Sequence, residues 1–221
     1  MRRNSLQHIA RGSDGAMFFQ WRASRAGAEK FHSGLVPHAG RDSKVWREVT
    51  ELGADLAALS DVAGTRVDPA EVAIVFDWPS WWAAELDSHP SIDVQPVVEA
   101  RRWHQELWKR NVAVDFASPQ SDLTAYKVIV LPNQYALSDA AIDSLSSFVN
   151  AGGVLVATYF SGIADERDHI RLGGYPGALR DLLGLRVEEF FPLEQRGRIR
   201  LSDFGEGTIW NARLLQGGGQ A

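Results

Sequence analysis

Trp21, Glu29 and His32 are the residues whose types and spacing suit chemistry, and they fall in the single stretch from Phe18 to His32. Glu29 and His32 are three positions apart, which places them on one face of a helical turn. A carboxylate and an imidazole so placed can hydrogen-bond adjacent hydroxyls of a sugar, while an indole stacks on the apolar C–H face of the ring. Arg22 and Arg25 are at hand to position carboxylates or to close a pocket by ion pairing. The same residues also allow a plainer reading, in which Glu29 pairs with Arg25 and His32 is a surface residue.

Such groups need elements to hold them. The run over 16–21 is apolar and short enough for a buried strand. The polar groups crowd just past its C-terminal end, where ligands bind in parallel α/β proteins. Before it, Leu6, Ile9 and Ala10 predict a helix over 4–12 ending at Gly12, and Ser13-Asp14-Gly15 is a turn. A helix, a turn and a strand make half of a βα repeat. Closing a barrel takes seven more strands, so upstream sequence is expected to supply them. After it, Val45, Trp46, Val49, Leu52, Leu56 and Leu59 predict an amphipathic helix over 43–59, with Asp42 or Ser43 as N-cap. Gly64-Thr65 and Asp68-Pro69 form a linker and the expected domain boundary.

From Glu71 onward the pattern alternates. Strands are predicted over 72–76, 112–116, 128–132, 153–158 and 185–187, and helices over 95–110, 138–150 and 176–183. Ser138 is a natural N-cap, Gly152 stands just past its helix, and Gly184 stops the last one. Near-continuous β-branched strands between amphipathic helices argue for a parallel, doubly wound α/β sheet. The residues Gly217-Gly218-Gly219-Gln220-Ala221 read as a frayed or artificial end.

Composition narrows the classes. The 221 residues are 45% hydrophobic and 23% charged, ordinary for a globular protein, with eight Trp and ten Phe favouring substantial buried or interface surface. A net charge of −5 gives no reason to expect a nucleic-acid partner. The absence of cysteine removes disulfides, thiolate metal sites and a cysteine nucleophile. No apolar run approaches the roughly 20 residues of a membrane span, and the N-terminus lacks the apolar stretch of a secretory signal. The cytoplasm is the expected compartment.

A family resemblance emerges at this point. Met1-Arg2-Arg3, Gln7-His8-Ile9-Ala10, Phe19-Gln20-Trp21-Arg22, Gly27-Ala28-Glu29-Lys30-Phe31-His32 and Pro37-His38-Ala39-Gly40 form a long, ungapped motif string. It resembles the last strand and helix region of the catalytic barrel of family 42 glycoside hydrolases, microbial β-galactosidases. Asn4 departs from that family, where an aromatic residue is usual. The remainder is similar to the family's second domain, related to class I glutamine amidotransferases and used for trimerisation, and to the start of a small all-β domain. The resemblance implies three regions: 1–65, the end of a (β/α)8 barrel; 70–187, a flavodoxin-like trimerisation domain; and 188–221, the opening of the third domain. It also implies that Glu29, His32 and Trp21 hold a galactose ring, and that the assembly is a homotrimer acting on galactosides.

Retaining glycosidases need two carboxyl groups about 5–5.5 Å apart. The family draws them from earlier barrel strands, so this chain is expected to carry neither and to be inactive alone. Other chemistries fit poorly. The turn of amidotransferase relatives that bears a nucleophilic Cys corresponds here to Thr158-Tyr159-Phe160-Ser161-Gly162, and Ser161 lacks the Gly-x-Ser-x-Gly setting. Asp77-Trp78-Pro79-Ser80-Trp81-Trp82 is a poor phosphate cradle for a nucleotide or flavin. It reads instead as a contact patch or as core filling beneath a loop. His32 and His38 have no third ligand at metal spacing, so no cofactor is expected. The rival reading is a stand-alone flavodoxin-like interaction or sensor module without catalysis.

Overall fold

The structure, a computed structural model, describes residues 1–201 and 205–216, and in it the chain forms two compact units, Met1–Asp68 and Pro69–Ala221. The glycine-rich end at 217–221 lies outside the described residues.

In the first unit, helix α1 (Arg2–Ile9) starts earlier and ends sooner than the periodicity suggests. Helix α2 (Lys44–Ala58) begins where the sequence reading places it. The Ser43 hydroxyl accepts the Trp46 N–H, and Leu52 faces inward. The two helices are joined by the Arg2 guanidinium on the Asp55 carboxylate at 2.7 Å.

The strand expected over 16–21 does not form, which corrects the sequence reading. Met17, Phe19 and Trp21 are exposed, and regular pairing is confined to a short parallel contact with residues 35–36. There the Leu35 and Val36 N–H groups donate to the Gln20 and Trp21 carbonyls, and the Ala23 N–H donates to Val36. The reason is physical. A buried parallel strand is satisfied only between two neighbours, and this unit offers it part of one.

The second unit runs β1 (Val72–Val75), α3 (Trp78–Ala84), α4 (Pro96–Lys109), β2 (Val114–Ala117), β3 (Val128–Leu131), α5 (Asp139–Asn150), β4 (Val154–Ala157), α6 (Arg180–Leu183), β5 (Leu185–Pro192), β6 (Ile199–Leu201), β7 (Gly205–Gly207) and β8 (Trp210–Gln216). The first four strands form one parallel sheet in the order β2-β1-β3-β4, with Val72 opposite both Val114 and Val128, and Val128 opposite Val154. Alternate residues face opposite layers. Ala73, Val75, Ile129 and Leu131 pack with Leu145 and Phe148 of α5. Ile74 and Val130 pack with Ala100, Trp103 and Leu107 of α4. Helices on both faces make the sheet doubly wound, as the continuous apolar strands imply.

The caps explain where α5 starts and stops. The Ser138 hydroxyl accepts the Ala141 N–H. At the other end the Gly152 N–H bonds to Val149 and the Gly153 N–H to Phe148, with Gly152 at φ +98°. This paired closure with a left-handed residue ends the helix without orphaned carbonyls.

Two elements differ from expectation. The segment over 77–82 is a helix. Asp77 caps α3 by accepting the Ser80 N–H, and Pro79 sits in its first turn. The last predicted strand, over 185–187, does not join the parallel sheet. It extends to Pro192 as β5 and pairs antiparallel with β8, while β6 pairs with β7. Leu185 and Val187 are half-buried while Arg186 and Glu188 are exposed. That one-sided alternation suits an antiparallel ribbon, whereas a central parallel strand is buried on both faces.

Candidate functional site

The chain from Gln20 to Ala23 is held against residues 34–36 so closely that only glycine fits between them. A Cβ at Gly34 would stand 2.7 Å from the Ala23 nitrogen and 3.2 Å from the Gln20 carbonyl oxygen. Main chain meets main chain there, and no side chain can move aside.

Trp21 leads into this contact and is 62% exposed. Its ring meets Trp46 of α2 edge-on, with centroids 5.9 Å apart, and the Arg41 guanidinium lies 5.7 Å over the Trp46 ring. Trp21 is thus an upright indole with one edge braced and much of its surface open. The polar segment after it curls through tight turns, with the Lys30 N–H on the Gly27 carbonyl and the His32 N–H on the Glu29 carbonyl. Glu29 and His32 therefore share one turn, as their spacing predicts, and both are exposed.

The His32 ring is oriented from two sides. Its Nδ1–H donates to the Ser33 carbonyl at 3.0 Å, and Phe19 meets it edge-on at 5.3 Å. That bond leaves Nε2 free to meet a hydroxyl. Among the described residues the Glu29 carboxylate makes no hydrogen bond or ion pair, with Arg25 or with any other group. His38 reaches back to the Ser24 carbonyl at 2.8 Å and pins the start of the turn. A backbone turn bond links Glu29 and His32, while Trp21 stands against Trp46. Phe19 and Trp46 were not singled out by sequence reasoning. Phe19 lies in a run read as buried strand, and helical spacing gave Trp46 only a face.

Ser161 is buried, accepts the Gln134 N–H and donates to the Leu131 carbonyl, while Thr158 accepts the Asn133 N–H. Both hydroxyls satisfy the backbone where β3 ends, at positive-φ Asn133, and Ser161 is committed to that task. Among the described residues the buried Tyr159 hydroxyl and Asn133 Oδ1 make no well-aligned hydrogen bond, and burial raises the Tyr159 phenol well above its ordinary range, opposed by the Asn133 side chain. Among the described residues no three His, Asp or Glu side chains gather to hold a metal, and no helix is long and apolar enough to cross a membrane.

The comparisons agree with this two-part organisation. A family model described as the β-galactosidase trimerisation domain matches residues 70–217, and one described as β-galactosidase matches residues 1–59. The chain is 49% identical to a β-galactosidase of Arthrobacter sp. over 221 residues, covering all of this chain and 32% of that protein. It is 53% identical over 195 residues to β-galactosidase BgaB of Geobacillus sp., covering 87% of this chain and 29% of that one. The crystal structure of β-galactosidase from Bacillus circulans sp. alkalophilus superposes with a TM-score of 0.90 at 35% identity, over 98% of this chain and 34% of that one. The enzyme from Rahnella sp. R3 gives 0.89 at 35% identity, over 100% and 34%. The chain thus spans about a third of the length of these relatives. It belongs to family 42 of the glycoside hydrolases, whose trimerisation-domain model covers most of its residues. With both models matched, the stand-alone module reading has no support.

Proposed function

We propose that this chain is the C-terminal portion of a β-galactosidase subunit that hydrolyses terminal non-reducing β-D-galactose residues with retention. In this reading residues 1–65 close a (β/α)8 barrel, 70–187 assemble three copies, and 188–221 open the small all-β domain. Glu29 and His32 bond galactose hydroxyls from their shared turn, and Trp21 offers its open indole to the apolar face of the ring. The acid/base and the nucleophile, two carboxyl groups about 5–5.5 Å apart, come from barrel strands outside this chain.

The observation that carries the proposal is the pair of family matches, 1–59 and 70–217, in one alignment to β-galactosidases that spans the chain. The test is an exchange. This chain replaces the matching third of the Arthrobacter enzyme, and hydrolysis of a chromogenic β-galactoside is measured. The exchanged enzyme is expected to turn over substrate, and the pure 221-residue chain to show none. Turnover by the pure chain, or a folded exchanged enzyme without activity, overturns the reading.

A further inference from the structure

We propose that the tryptophan face of α3 is where copies of this chain meet, a partner assignment that rests on the trimeric reading above. Trp78 and Trp82 are one helical turn apart on the same side of α3, at 58% and 62% exposure, and exposed Leu86 follows just past the end of the helix. The indoles are held in place. Trp78 packs on Trp81 at 5.1 Å and on Trp82 at 6.2 Å, and Phe76 backs the group at 5.9 Å from Trp81. Trp81 is itself anchored by its Nε1–H on the Glu85 carboxylate. The helix is fixed at its start, where Gln134 donates to the capping Asp77 carboxylate and Ser80 accepts the Ala136 N–H. An aromatic face already rigid in the free chain loses little side-chain freedom on association.

Composition points the same way. The α3 sequence, WPSWWAA, contains no charged residue, whereas α4, α5 and α6 each carry two or more. Depletion of charge with enrichment of tryptophan marks the buried centre of protein interfaces and their energetic hot spots. The occupant is a second copy because the face lies inside residues 70–217, the region matched by a trimerisation-domain model. In a closed threefold ring each copy presents the face once, so altering it breaks three equivalent contacts together.

The test is sedimentation velocity of the full 221-residue chain at micromolar concentration. The unaltered chain is expected to sediment as a trimer. W78S/W82S is expected to sediment as a 24.4 kDa monomer with an unchanged far-UV spectrum, its association weakened about 10³-fold. L172S, which removes a side chain 87% exposed elsewhere on the unit, is expected to remain trimeric. A trimeric double variant, or equal dissociation by L172S, overturns the assignment to this face and leaves the trimeric reading standing. A monomeric unaltered chain overturns both. Hydrogen exchange on the unaltered chain gives a check that needs no variant. Protection of residues 76–88 should fall on dilution in step with the trimer, and protection independent of dilution overturns the proposal.

Discussion

Glu29 and His32 stand in water with few bonds of their own, so their worth depends on what they give a ligand. A hydrogen bond to a charged group contributes about 1.5–3 kcal/mol, which sets the scale for their removal. In the exchanged enzyme, Glu29→Ala is expected to lower kcat/KM about 10- to 100-fold, and His32→Ala about tenfold, measured on a chromogenic galactoside. Glu29→Gln should recover part of the loss, because an amide keeps one acceptor. At this scale the sequence was legible where contacts are local. Three-residue spacing found the Glu29–His32 turn. It could not find Trp46 behind Trp21 or Phe19 against His32, because those contacts join positions far apart in the chain. Periodicity assigns a face to a residue and says nothing of its neighbour across the fold.

Among the elements, the four-stranded sheet and its covering helices were readable because each signal was redundant. Strands rich in β-branched residues, a serine before α5 and a glycine after it all agreed. Gly152 shows what that agreement is worth. At φ +98° it occupies backbone space that side chains avoid, so Gly152→Ala is expected to cost about 1–2 kcal/mol. The melting midpoint should fall by about 2–8 °C in a thermal scan. The misread elements failed for identifiable reasons. Asp77 and Pro79 are helix-start residues, and their signal was outweighed by the aromatic character of Trp78, Trp81 and Trp82. The run over 16–21 has the composition of a strand but lacks the neighbours that would make it one. For β5, the stretch over 185–187 is too short to tell a one-sided ribbon from a buried strand, and the strand in fact runs to Pro192.

For the whole molecule, the response to alkali can be derived from three tyrosines. Tyr126, Tyr135 and Tyr159 all have phenols raised above their ordinary range, each chiefly by burial, with Asp115 adding to the first and Asp168 to the second. The folded chain therefore holds these protons more tightly than the unfolded one. Their contribution to stability is complete below about pH 10, the unfolded value, and is lost as pH rises above it. The melting midpoint is expected to decline above about pH 10, with tyrosinate absorbance rising together with unfolding. Tyr159→Phe should flatten that decline. At neutral pH it should shift the midpoint little, since among the described residues the buried hydroxyl has no well-aligned hydrogen bond to lose. A midpoint steady to about pH 12 would overturn this account. Gly34 has a different bearing, on inheritance. Its missing side chain is what lets residues 20–23 and 34–36 lie backbone to backbone, whereas a methyl group added at Gly53 on α2 would meet open space. Under random drift the two glycines have opposite fates. Position 53 is free to wander, while position 34 is held by the geometry of the peptide chain itself.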